Sequence, residues 1–213
     1  MRLQFDEQLD LLNKELITMG AFCENAIAMS AKALSEGNPA LAKTVLDLAV
    51  RIDHKEREIE TMCLKLLLQQ QPVAKDLRIV SSALKMVTDM ARIGDQSADI
   101  AEIIMLANIH ADDDTRIIHD MSVAAIKMVT DSLEAFVKKD VRMARAVIDY
   151  DDVVDSFFNE VKKMLIELFG KPETDGEYAV DMLLIAKYFE RIADHAVNIA
   201  KWVLFSITGN KEG

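Results

Sequence analysis

Glu190, Asp194 and Asn198 stand four residues apart, and Asp95 and Asp99 repeat the spacing. At 100° per residue, Glu190, Asp194 and Asn198 fall within about 80° of one another on a helix. Carboxylates at this spacing repel by about 0.2–0.5 kcal/mol per pair unless a cation lies between them, and the sequence accepts that repulsion twice. Carboxylate and amide oxygens are hard donors suited to divalent ions, with magnesium, manganese, iron and zinc as the candidates. A second acidic row stands upstream of each stretch: Asp53, Glu56 and Glu60, then Asp151, Asp152 and Asp155. If the rows face each other, the candidate ligands are Glu190, Asp194 and Asn198 with Asp152 and Asp155, and Asp95 and Asp99 with Asp53 and Glu56. The alternative is a solvated face laced by Lys187–Glu190 and Arg191–Asp194 pairs, and the residues alone leave both open.

These acidic stretches are copies of one another. Residues 84–101 align without a gap on residues 183–200, sharing Leu84/Leu183, Arg92/Arg191, Ile93/Ile192, Asp95/Asp194, Ile100/Ile199 and Ala101/Ala200. Upstream, Ile52-Asp53 parallels Val154-Asp155 and Gly37-Asn38 parallels Lys139-Asp140. Packing explains the repeated apolar residues. It does not explain the Arg and Asp, because an exposed helix face accepts almost any polar residue. The chain therefore reads as two units, 1–110 and 111–213.

The elements that carry these residues are helices. Seven Gly and three Pro punctuate 213 residues, and apolar residues recur at three- and four-residue steps: Leu9, Leu12, Leu16, Met19, Cys23, Ile27, Ala31 and Leu34 in the first segment. The pattern predicts helices over about 5–35, 39–69, 72–109, 115–138, 141–169 and 177–205. Asn38 caps the second with Pro39 at its first position, Pro72 opens the third, Asp112, Asp113 and Asp114 supply acidic caps for the fourth, and Asp140 caps the fifth. Long helices on short loops pack as antiparallel neighbours, so the fold class is all-α: two tandem three-helix bundles, side by side or end to end.

Composition narrows the function. Hydrophobic residues make up 51% of the chain and charged residues 29%, enough for a sizeable core and a soluble surface. A net charge of −11 argues against nucleic acid, whose binding rests on neutralising phosphates, and against docking on anionic lipid. No apolar stretch reaches bilayer length and the first residues lack a signal peptide's apolar core, so a cytoplasmic protein without membrane insertion is expected. Cys23 and Cys63 sit at apolar-periodic positions and read as buried thiols. HExxH, GxxxxGK[ST], GxSxG and GxGxxG are absent, and none of His54, His110, His119 and His195 follows a Glu by three residues as dimetal carboxylate bundles require. His195, at the border of the apolar face, reads as a structural hydrogen-bonder. No enzyme is expected. Twelve Met on amphipathic helices suggest an adaptable contact surface and a homodimer.

Several motifs carry a resemblance: Gln70-Gln71-Pro72-x-x-x-Asp76-Leu77-Arg78, Arg92-Ile93-Gly94-Asp95, Glu190-Arg191-Ile192-Ala193-Asp194-His195-Ala196-x-Asn198-Ile199, and Ile52-Asp53 with Val154-Asp155. With the repeat they cover nearly all of the chain, which resembles the PhoU phosphate-regulatory family. The resemblance implies a cytoplasmic, non-catalytic adaptor between the ATPase of the phosphate ABC transporter and a sensor histidine kinase, damping the starvation response. It also implies metal clusters on E(D)xxxD motifs, here Glu190 and Asp194, extended to Asn198. The first copy departs, with Ala91 where the family usually has Glu and Asp89 on a different side of the helix. A reading from another class is a metal-carboxylate protein that stores or senses divalent metal.

Overall fold

The predicted stop between the first and second helix of each copy becomes a turn with a specific hydrogen-bond closure. In this computed structural model the described residues are 2–69, 74–107, 115–170 and 176–210, with the backbone alone for 2–4 and 69. Helix α1 (Arg2–Glu36) ends at Gly37, whose φ of 57° is the left-handed conformation that glycine adopts without a Cβ penalty. The Gly37 N–H donates to the Leu34 carbonyl at 3.1 Å and the Asn38 N–H to the Ala33 carbonyl at 2.9 Å, the paired bonds of a Schellman closure. Asn38 then caps α2 (Pro39–Gln69), its Oδ1 accepting from the Leu41 N–H at 3.1 Å.

The second copy closes identically. Lys139 takes φ 54°, its N–H donates to the Phe136 carbonyl at 3.2 Å, and the Asp140 N–H donates to the Ala135 carbonyl at 2.9 Å. Asp140 caps α5 (Val141–Phe169) by accepting from the Arg142 and Met143 N–H groups at 2.8 and 3.1 Å, bonds that hold its carboxyl below the usual range. A lysine thus occupies the strained position that the first copy gives to glycine.

Among the described residues the remaining helices are α3 (Ala74–Leu106), α4 (Thr115–Lys138) and α6 (Gly176–Thr208), and there is no strand. The expectations for Pro72 and for Asp112, Asp113 and Asp114 fall outside the described residues. Helix α6 runs three residues beyond the predicted end.

Side-chain pairs fix the directions. Cys23 donates to the Met90 carbonyl at 3.4 Å and Ser30 to the Ser97 carbonyl at 3.3 Å, a constant register that makes α1 and α3 parallel. Lys55 pairs with Glu15 at 2.8 Å and Arg51 lies 4.2 Å over the Phe22 ring, so α2 runs against α1. The two up-down-up bundles lie side by side: α1 packs on α4 and α3 on α6, while among the described residues α2 touches only α1 and α3, and α5 only α4 and α6. One apolar cluster, from Leu12 and Leu16 through Ile93 to Phe189 and Ile192, runs through both.

Two glycines set the approach of the helices. A Cβ on Gly20 would stand 2.2 Å from Leu133 Cδ1, so α4 seats a leucine where α1 has no side chain. A Cβ on Gly94 would lie 3.0–3.3 Å from three Ile52 carbons. At the corresponding positions the second copy has Ala193 and Val154, one carbon moved from the middle helix to the last.

Candidate functional site: two acidic helix seams

The middle and last helices of each bundle present their acidic rows to one another. In the second copy, Asp151 and Asp155 of α5 face Glu190 and Asp194 of α6. Asp151 is half-buried, and its carboxyl is pushed up to about 6 by burial first and then by Asp194, Asp155, Asp152 and Glu190. Asp194, at the solvent edge, is also raised, by partial burial and then by Glu190, with Lys187 opposing the shift. The Lys187 ammonium pairs with Glu190 Oε2, which is shut from solvent and lies out of hydrogen-bond alignment with it. It also stands 5.2 Å from the centre of the Phe158 ring.

The first copy builds its seam from Asp53, Glu56 and Glu60 of α2 against Asp95 of α3, all half-buried. Burial raises the Glu56 carboxyl, then Glu60, Asp53 and Asp95, against the pull of Arg92. Arg92 pairs with Asp95 at 3.0 Å in an exposed, solvent-screened bridge.

Two predicted site residues turn elsewhere. Asn198 donates from Nδ2 to Asp89 Oδ1 at 3.4 Å, and His195 Nδ1 lies 2.9 Å from the same oxygen, so this part of the polar line faces α3 rather than α5. Asp99 is raised by burial, Glu102 and Asp95, and is drawn down by Arg191 of α6. These pairs run α3 and α6 antiparallel across the boundary between the copies. Glu60 of the first seam is missing from the predicted ligands, and so is Asp151 of the second. Its signal was in the sequence, because Asp151 and Asp155 share the four-residue spacing of Glu190 and Asp194, whereas Asp152 is turned about 100° away.

A cleft of about 350 Å3, lined by Leu9, Ile79, Phe136, Lys75 and Lys139 among others, contains none of the seam residues. The donor set is carboxylate oxygen, and that chemistry fits a hard divalent cation. Among the described residues no three His, Cys, Asp or Glu side chains converge on one point as placed, so coordination requires rotation of seam side chains.

A profile of the PhoU domain matches the chain twice, over residues 16–104 and 118–203, one match for each bundle. The chain belongs to the PhoU family. A phosphate-specific transport system accessory protein PhoU homolog of Clostridium acetobutylicum is 32% identical over 97% of this chain and 95% of its own length. PhoU homolog 1 of Thermotoga maritima is 30% identical over 96% of this chain and 89% of its own. Among solved structures, PhoU from Pseudomonas aeruginosa superposes with a TM-score of 0.89 at 28% identity, covering 97% of this chain and all of that one. The phosphate transport system regulatory protein PhoU from Streptococcus pneumoniae gives 0.89 at 25% identity, covering 98% and 99%. Within this PhoU-type architecture both acidic seams lie between the middle and last helices. Among the described residues no helix is long and apolar enough to cross a membrane.

Proposed function

We propose that this chain is a cytoplasmic accessory protein of phosphate uptake that restrains transport and starvation signalling by contact, not catalysis. The observation that supports it is the full-length match, over both bundles, to proteins named as phosphate-specific transport system accessory proteins. Its partners on this reading are the ATPase of a phosphate ABC transporter and a sensor histidine kinase, and the chain acts as a homodimer. Deleting the gene in a strain without paralogues should raise phosphate-starvation reporter output or uptake in phosphate-rich medium; unchanged responses would overturn the reading.

The seams are the proposed metal sites. Asp151, Asp155, Glu190 and Asp194, with Asp152 at the rim, would hold a divalent cation in the second copy, and Asp53, Glu56, Glu60 and Asp95 in the first. A bound cation supplies the positive charge that these facing carboxylates lack and ties the middle helix to the last. Elemental analysis of protein purified without added metal tests this directly, and calorimetric titration with Mn²⁺, Fe²⁺ and Zn²⁺ ranks the ions. Asp99 and Asn198 are assigned to the α3–α6 boundary, where the contacts of Asn198 with Asp89 and the pull of Arg191 on Asp99 support a structural role.

A further inference from the structure

The two seams differ in their positive charge and in the groups around it. In the second copy the exposed Lys187 lies along the edge of the seam, pairs with the solvent-shielded oxygen of Glu190, and sits 5.2 Å from the Phe158 ring. The corresponding positions of the first copy hold Thr88 for Lys187, Glu56 for Phe158 and Ala91 for Glu190. The lysine, its carboxylate partner and the ring beside it therefore occur together in one copy and are all absent from the other. The first copy's cation is Arg92, which is exposed and bound to Asp95 at the outer edge.

We infer that Lys187 is a tethered counter-cation that occupies the second acidic seam in place of a divalent ion and must swing off Glu190 for that ion to bind. The inference rests on the seam's proposed metal binding and adds the element that sets its affinity and exchange. The Lys187 ammonium already meets Glu190 and pulls the Asp194 carboxyl down against the rest of the cluster, so it acts on two of the proposed ligands at once. An ammonium on a four-carbon stem can leave such a position by rotation of its own side chain, which a guanidinium held at both ends of its fork does less readily. The Phe158 ring, which Lys162 of α5 also approaches at 5.2 Å, is already within reach of the Lys187 ammonium in its pair with Glu190. The exchange is a change of ion pair without a covalent step. Emptying the seam returns Lys187 to Glu190, an i,i+3 pair within α6, so release of the ion is reversible by side-chain rotation alone.

The test is titration of the full chain with Mn²⁺ alone at pH 7, for the wild type, Lys187→Met and Lys187→Arg. Lys187→Met keeps the stem and removes the charge, and should bind Mn²⁺ about tenfold more tightly, the effect of deleting one positive charge a few ångströms from a divalent ion in a largely aqueous setting. Lys187→Arg should stay within about threefold of the wild type. A second readout follows the lysine itself: acetylation of Lys187 by a water-soluble acyl ester, read by mass spectrometry, should rise when saturating Mn²⁺ frees the amine, while Lys127, paired with Asp131 on α4, serves as the internal reference. Wild-type Mn²⁺ binding with equal or weaker binding by Lys187→Met, or with unchanged Lys187 acetylation, overturns the counter-cation and leaves the metal reading standing. Absence of Mn²⁺ binding in the wild type and in Lys187→Met alike overturns both.

Discussion

Asp151→Asn should stabilise the metal-free protein at pH 8 and leave it almost unchanged at pH 4. The folded Asp151 carboxyl titrates at about 6, above its ordinary 3.8, so folding favours the protonated form. The contribution of this group to stability is complete below pH 4 and is lost as the pH rises through 6, because the ionised form is then half-buried and faces Asp194, Asp155 and Glu190 across the seam. A shift of roughly two units corresponds to about 3 kcal/mol as an upper bound. Asp151 is only half-buried, and water screens the repulsion, which brings the expected gain to about 1–1.5 kcal/mol. With a urea m-value of about 2 kcal/mol/M, the midpoint should move up by about 0.5–0.75 M. The assay is urea unfolding in EDTA at pH 8 and at pH 4, followed by circular dichroism, for both proteins. With a divalent metal that binds the wild type, the order at pH 8 should reverse, because the variant has lost a ligand. Equal stabilisation at both pH values would trace the effect to the amide and refute the electrostatic account, and no stabilisation at pH 8 would show that Asp151 is solvated as in the unfolded chain.

The Gly94 contact with Ile52 predicts a double-mutant cycle: Gly94→Ala alone overpacks, Ile52→Val alone costs about 0.5–1.5 kcal/mol, and together they recreate the Ala193 and Val154 pairing with the Cδ1 contact removed, so the pair should cost less than the sum of the single changes, measured by urea midpoints. Lys139→Gly should stabilise the chain by about 0.5–1 kcal/mol in thermal melts, since φ 54° suits glycine and the side chain makes no described ion pair there. In metal titrations Asp194→Asn should lower affinity more than Asp95→Asn, which loses a ligand already held by Arg92. Ala91→Glu combined with Ala49→Asp should strengthen the first seam by installing the counterparts of Glu190 and Asp151, and no gain would mean that the ligands are placed wrongly.

The helices, their capped starts at Asn38 and Asp140 and the twofold repeat were legible in the sequence, because each depends on residues within a few turns of one another. A 3.6-residue period, an Asx cap and a proline at the first helical position act locally, and a duplication preserves them whatever the bundle does. The acidic rows of both seams were legible for the same reason, including the departure of the first copy at Ala91. The assignment of individual side chains to those rows was not. Glu190, Asp194 and Asn198 share an arc of about 80° on α6, but α6 packs against α3, α4 and α5, so that arc spans two grooves. Glu190 and Asp194 open toward α5, while Asn198 and the neighbouring His195 open toward Asp89 on α3. Asp89 looked misplaced on its own helix because the axis of α3 was the only reference available. Its partner comes from 106 residues away, and only the side-by-side packing of the two bundles brings that partner within reach.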